Sequence, residues 1–205
     1  MSQLTTGLRS LLGSQLGYRV FQFVMGAHSI RKDLIKDFVC PVSGLKILDI
    51  GCGPADILAY LPNVTYMGFD ISSSYIDGAK RRFGSRGSFA CREIVSEDVE
   101  NMPKFDIVLA LGLLHHLDDE EARNIFNLAF DALKPGGRFF TLDPCIKAGQ
   151  NPIARFIIKQ DRGQNVRKEN EYIALVPQSF EISRAEVRHR TWIPYTHFYL
   201  ECTRP

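Results

Sequence analysis

Leu48-Asp49-Ile50-Gly51-Cys52-Gly53 decides the reading of this chain. A short β-rich run, 46–50, ends in two glycines one residue apart. Glycines in such a turn let the backbone approach a ligand closely, because they adopt conformations other residues avoid. Pro54 follows and predicts a helix with proline in its first turn, whose free N–H groups would face an anion such as a carboxylate. In an open α/β sheet this turn lies at the carboxyl edge, where ligands bind. A dinucleotide fingerprint needs a third glycine at position 56, and the sequence has Asp56 there. Asp70 ends the next β-rich run and is placed to accept hydrogen bonds from two ribose hydroxyls, where a carboxylate outperforms a neutral group.

Working outward, β-rich runs recur at 46–50, 65–70, 88–94, 105–111 and 138–143, with helical segments between them. The clearest helix is predicted from Asp118 to about Lys134. Asp118 and Glu121 form a capping-box start, Ala122, Ile125, Phe126, Ala129, Ala132 and Leu133 follow helical spacing, and Pro135-Gly136-Gly137 is read as the stop. Five strands alternating with helices predict an α/β fold around a mainly parallel sheet. With no repeat, linker or second core, residues 1–205 read as one domain: an N-terminal helical lid (1–40), a core (45–143) and an acceptor-side insertion with a closing hairpin (144–205). The lid reads as two helices broken near Gly26, and the hairpin as two runs within 181–204 turning at Pro194-Tyr195.

Four motifs, Leu48-Asp49-Ile50-Gly51-Cys52-Gly53-Pro54, Gly68-Phe69-Asp70, Phe105-Asp106-Ile107-Val108 and Leu133-Lys134-Pro135-Gly136-Gly137, occur in that order. Together they resemble the class I S-adenosylmethionine-dependent methyltransferases over roughly residues 45–143. The resemblance implies a doubly wound, seven-stranded sheet of order 3-2-1-4-5-7-6, its last strand antiparallel, with helices on both faces. It implies S-adenosyl-L-methionine as cofactor and S-adenosyl-L-homocysteine as product. Asp49, Gly51, Cys52 and Gly53 would hold the methionine end and Asp70 the ribose. Ile71 would pack on the adenine, Asp98 would face its amino group with Val99 beside it, and the backbone near Leu111 would meet the methionine amine. Tyr18-Arg19, Gln22 and Gly26, with Asp161-Arg162-Gly163 and Pro194-Tyr195-Thr196-His197, look like small bacterial methyltransferases of unassigned substrate, some linked to surface-polysaccharide pathways.

His115 and His116, just past the fourth run, are the candidate bases, and His115 is preferred because adjacent residues point apart. The alternative is that both bond locally or cap the next helix. Related methyltransferases that bind a metal carry an acid where this chain has Gly112, so no metal is expected. Tyr18, Arg19, Tyr195 and His197 are candidate acceptor-pocket residues, against buried packing and surface ion pairs. Cys52 reads as small-residue packing rather than a nucleophile, and the acids 118–121 as helix capping.

Net charge is +2, but Lys and Arg against Asp and Glu run 6 to 2 in residues 1–46, 9 to 15 in 47–145 and 10 to 6 in 146–205. Basic flanks around an acidic middle suit an anionic acceptor or plain solvated surface. Five cysteines without a C-x-x-C pair suggest reduced thiols in the cytoplasm. No run approaches a membrane span, and the start is not a signal peptide, so no stable membrane insertion is expected; Leu4, Leu8, Leu11 and Leu12 share a face that suits a lid over a membrane contact. The region after the fourth run lacks the Asn/Asp-Pro-Pro-Tyr/Phe motif of DNA amino-methylating relatives, so a small molecule rather than nucleic acid is the expected partner. The chain therefore reads as an enzyme methylating a small-molecule hydroxyl, a sugar or polysaccharide precursor among the options; the competing reading is a cofactor-binding scaffold without transfer.

Overall fold

The computed structural model describes residues 27–159, 163–190 and 195–205. Its frame is an eight-stranded sheet. In chain order the strands are β1 (Lys46–Ile50), β2 (Thr65–Asp70), β3 (Gly87–Cys91), β4 (Phe105–Leu111), β5 (Leu133–Ile146), the two-residue β6 (Arg167–Lys168), β7 (Glu181–Arg190) and β8 (Tyr195–Thr203). The order across the sheet is β3-β2-β1-β4-β5-β8-β7, with β6 joined to the end of β5. β1 to β5 run parallel, and β8 lies antiparallel between β5 and β7. Setting β6 aside, this is the expected order and the expected antiparallel strand.

Side-chain alternation separates two cores, one on each face of the sheet. Leu48, Val108, Phe139 and Phe198 join one with α4 (Asp119–Ala132) and α6 (Glu169–Ile173). Ile47, Leu109, Phe140 and Tyr199 join the other with α1 (Ala27–Leu34), its π-helical extension Ile35–Val39, and α2 (Ser73–Phe83). Near-continuous apolar strands are what a parallel sheet covered on both faces requires. At the centre of the first core, the buried Phe126 ring meets Phe139 edge-on at 5.2 Å and Phe180 at 6.4 Å. Phe126→Ala should therefore cost about 3–5 kcal/mol of unfolding free energy in a urea titration, the range for emptying a packed aromatic site.

Two local expectations change. α4 starts as read, since Asp118 accepts the Glu121 N–H at 2.9 Å while the Glu121 carboxylate accepts the Asp118 N–H at 3.0 Å. It ends at Ala132, however, and the chain turns straight into β5 at Leu133, so Pro135-Gly136-Gly137 lie within a strand. A register shift opposite Phe105 accommodates them, and Gly136 and Gly137 exchange backbone hydrogen bonds with Arg204. No α-helix begins at Pro54 either. Gly51, Gly53 and Ala55 all have left-handed backbones, and a five-residue 3-10 turn, Asp56–Tyr60, follows. The remaining short helices are α3 (Ser96–Asn101) and the amphipathic α5 (Pro152–Lys159). No helix among the described residues is long and apolar enough to cross a membrane. The expected first N-terminal helix, with Leu4, Leu8, Leu11 and Leu12, lies outside the described residues, as do Tyr18, Arg19, Gln22, Gly26, Asp161, Arg162 and Pro194.

Candidate active site

The order of the sheet reverses between β1 and β4, so the loops leaving their carboxyl ends form the crevice where an open α/β sheet binds ligands. The glycine turn leaves β1 there. The Cys52 N–H bonds to the Phe69 carbonyl at 2.9 Å and the Gly53 N–H to the Asp70 carboxylate at 2.9 Å, which ties the turn to the end of β2. Asp70 also accepts the Ser72 N–H at 2.8 Å. Both its oxygens keep lone pairs for a ligand hydroxyl, since a carboxylate accepts about four hydrogen bonds. Gly51 has φ +71°, and a Cβ there would meet Leu113 Cδ1 at 3.0 Å. Around Gly53 nothing lies within 4 Å of where a Cβ would stand, so the turn is open on that side.

Asp49 lies beneath this turn, 2% exposed. Tyr66 donates to its Oδ2 at 2.5 Å, while Oδ1 is buried with no hydrogen-bond partner among the described residues. Burial pushes its carboxyl up to about 7, against the Tyr66 hydrogen bond, and the Asp70 charge adds to the rise. A buried carboxylate oxygen without a donor fits an ammonium group of a ligand. Cys52 packs its sulfur on Gly68, where a Cβ would come within 2.7 Å of it. Burial, with Asp49 and Asp70 nearby, pushes that thiol far above its ordinary value.

The outer cofactor candidates spread along the same edge. Ile71 is 49% exposed just past β2, Val99 is buried in α3, and Leu111 is half-buried at the end of β4. Asp98 is held by a bidentate pair with Arg92 and accepts the Val95 N–H at 3.0 Å. The Arg92 bonds, then the Val95 bond, hold its carboxyl down at about 2. Any amino group it meets shares it with Arg92.

Beyond β4, Gly112 takes a left-handed conformation and leads into the 3-10 turn Leu114–His116. His115 is buried there, with its Nδ1 2.8 Å from Asp143 Oδ1 and its backbone N–H 3.2 Å from the same oxygen. An ionised carboxylate only accepts, so Nδ1 carries the proton and Nε2 is the basic nitrogen. The second Asp143 oxygen is buried with no hydrogen-bond partner among the described residues. The half-buried His116 ring stacks obliquely on His115, centroids 4.0 Å apart. Leu113, the neighbour of Gly51, joins this turn to the glycine turn.

With this geometry in place, the comparisons with known proteins are informative. Residues 47–137 match the family model described as a methyltransferase domain. That stretch holds the glycine turn, Asp70 and the histidine turn together. Over residues 47–137 the chain belongs to that methyltransferase-domain family. The chain is 32% identical over 104 residues to a ubiquinone biosynthesis O-methyltransferase of Pseudomonas fluorescens (strain SBW25), covering 48% of this chain and 44% of that enzyme. It is 27% identical over 137 residues to a ubiquinone/menaquinone biosynthesis C-methyltransferase of Ruegeria sp. (strain TM1040), covering 62% and 54%. The chain thus spans about half the length of the curated relatives it matches. In fold it is similar to the magnesium protoporphyrin IX methyltransferase of Synechocystis PCC 6803 solved with bound S-adenosylhomocysteine, with a TM-score of 0.63, 19% identity, and coverage of 94% and 88%.

The methyltransferase domain therefore brings Asp49, Gly51, Cys52, Gly53 and Asp70 together, with His115 and His116 on the adjoining turn. Of the acceptor candidates, Tyr195 and His197 lie among the described residues, and they are not gathered there. Asp143 pairs with Phe198 and Pro144 with His197 across β5 and β8, so Tyr195 and His197 lie on the opposite sheet face from Asp143. Tyr195 is buried, and its ring centroid is 4.8 Å from that of His197. Sequence reasoning passed over Tyr66, Asp143 and Arg167. Asp143 alone left a signal, an acid at the end of the β-rich run 138–143.

Proposed function

We propose that this protein moves a methyl group from S-adenosylmethionine to a hydroxyl oxygen of a small molecule, with His115 as general base. The observation that carries this reading is the buried His115–Asp143 pair, 2.8 Å apart, on the turn that touches the glycine loop. The bound cofactor supplies a methyl group on a positively charged sulfur. Asp49 Oδ1 would receive its ammonium group, the open side of Gly53 its methionine chain, and Asp70 its ribose hydroxyls. Asp143 would hold His115 with Nε2 basic and stabilise the imidazolium that forms when Nε2 takes the acceptor's proton.

The hydroxyl best matched to this base is an acidic one. Histidine's ordinary value of about 6.5 lies roughly 3–4 units below a phenol such as tyrosine, at about 10, and some 9 below water, at about 15.7. Proton transfer is efficient when donor and base are close in strength, so a phenol or enol suits His115 better than a sugar alcohol. The name of the Pseudomonas relative supports oxygen as the acceptor atom, and that of the Ruegeria relative allows carbon. Leu111-Gly112-Leu113-Leu114 stands where an Asn/Asp-Pro-Pro-Tyr/Phe motif would serve a nucleic-acid base. The expected setting is the cytoplasm and the expected partner a small molecule.

The test is transfer of radiolabel from S-adenosylmethionine to fractionated metabolites, alongside calorimetric binding of the cofactor. Label in a small-molecule fraction is expected. Binding without label in any fraction would favour a cofactor-binding scaffold instead. Asp70→Ala should weaken cofactor binding by about a hundredfold or more, since two hydrogen bonds to a charged acceptor are lost, each worth about 1.5–3 kcal/mol.

A further inference from the structure

Residues 163–167 cross the histidine turn and leave no slack around it. A Cβ on Gly163 would lie 2.1 Å from His115 Cδ2 and 2.5 Å from the His115 carbonyl oxygen, so only glycine fits against that ring. The Asn165 N–H donates to the same carbonyl at 3.0 Å. Arg167 then turns inward, 6% exposed, one of the few charged side chains in the interior. Its Nη1 donates to the Leu114 carbonyl at 2.8 Å and its Nη2 to the Leu117 carbonyl at 2.8 Å, so the guanidinium spans the turn that contains His115. Nη1 also donates to the Asn165 carbonyl at 3.2 Å, and Nε to Asp119 Oδ1 at 2.9 Å. A buried cation needs this full set of partners, because an unpaired one is strongly destabilising.

The fixed fork of Arg suits two carbonyls held at a set separation, whereas the ammonium of Lys acts as a point charge. The backbone of Arg167 is also anchored. β6 pairs Arg167 with Cys145, two residues beyond Asp143 on β5, and the Tyr172 hydroxyl donates to the Pro144 carbonyl at 2.9 Å. The end of β5 thus carries the carboxylate that holds the His115 ring and pairs with β6, whose arginine holds its turn.

We propose that Arg167 is the positioning residue for His115, fixing by its span from Leu114 to Leu117 the turn that presents the ring to Asp143 and to the acceptor. This rests on His115 being the base. A base displaced by about 1 Å can lose 10²-fold in rate, so a rigid turn matters as much as the base itself.

The test is nuclear magnetic resonance of the whole chain, reading solvent exchange of the His115 Nδ1 proton, whose signal is assigned by its disappearance in Asp143→Ala. Arg167→Gln should exchange this proton about tenfold faster or more, by freeing the turn to open locally, with S-adenosylmethionine affinity by calorimetry unchanged. Arg167→Lys keeps the buried charge and its pairing with Asp119 but cannot bridge both carbonyls. It is also expected to exchange faster, and it carries the test if Arg167→Gln does not fold. Exchange at the wild-type rate in Arg167→Lys, or in Arg167→Gln where that variant folds, overturns the proposal. Failure of wild-type protein to bind S-adenosylmethionine would instead count against the proposed function, and the exchange measurement needs neither cofactor nor acceptor.

Discussion

Asp143→Ala is expected to slow methyl transfer by about 10²–10⁴-fold, the contribution of a positioned base, while leaving cofactor affinity unchanged. The carboxylate does two things at once. Its Oδ1 accepts both the His115 Nδ1–H and the His115 backbone N–H, which fixes ring and backbone together. Its charge also favours the imidazolium formed as Nε2 takes a proton. Alanine removes both. Asn at the same place keeps an oxygen for both donors, with its amide nitrogen where the second oxygen has no hydrogen-bond partner among the described residues. Asp143→Asn should therefore lose only the charge, about tenfold, since a charged hydrogen bond exceeds a neutral one by about 1–1.5 kcal/mol. His115→Ala should fall with Asp143→Ala, and combining the two should add little, because both remove one unit. Single-turnover label transfer at saturating cofactor checks all four proteins. Equal losses for Ala and Asn at 143 would mean that charge, not tethering, is what Asp143 contributes.

The parts of this fold that could be read in the sequence are those set by neighbours in the chain. The Asp118–Glu121 box is a three-residue relationship, and the apolar strand runs report burial on both faces. Asp70 was legible for the same reason, standing at the end of a strand one crossover from the glycine turn. Local rules misled where a distant strand outcompeted them. Pro135-Gly136-Gly137 has the composition of a helix stop, yet the backbone of Arg204 offers hydrogen bonds that draw it into β5. Pro54 has the composition of a helix start, yet the Cys52 and Gly53 N–H groups are drawn to Phe69 and Asp70, which leaves only a 3-10 turn. In the site the same division holds. The pairing of His115 with Asp143 spans 28 residues and the reach of Arg167 to Leu114 spans 53, and no periodicity encodes either. Tyr195 and His197 stand on β8, which pairs with β5 beside Asp143. A step of one residue along β8 sends them to the other face.

Asp49→Asn is expected to make the cofactor-free protein more stable at pH 8 and to remove most of the pH dependence of its stability between pH 4 and 8. Among the described residues the wild-type carboxyl has no cationic partner in its burial, and its ordinary value of 3.8 rises to about 7 on folding. A carboxyl raised in this way binds its proton more tightly in the folded chain than in the unfolded one. Its contribution to stability is complete below pH 3.8 and is lost as the pH climbs through about 7. At about 1.36 kcal/mol for each pH unit, the loss amounts to roughly 4 kcal/mol, which calorimetric melting at several pH values would read directly. Asparagine has no charge to bury and should show a nearly flat profile. The same carboxylate should govern the cofactor. An ammonium group beside the unpartnered Oδ1 would hold Asp49 ionised, so binding below pH 7 must expel a proton. Affinity should then rise by up to about tenfold per pH unit from pH 5 to 7, as proton linkage requires, and the binding heat should differ between phosphate and Tris. Asp49→Asn should bind more weakly at pH 8 and lose both signatures. A wild-type affinity that stays level from pH 5 to 8 would mean that the ammonium group is held elsewhere. A stability gain in Asp49→Asn without loss of affinity would mean the same.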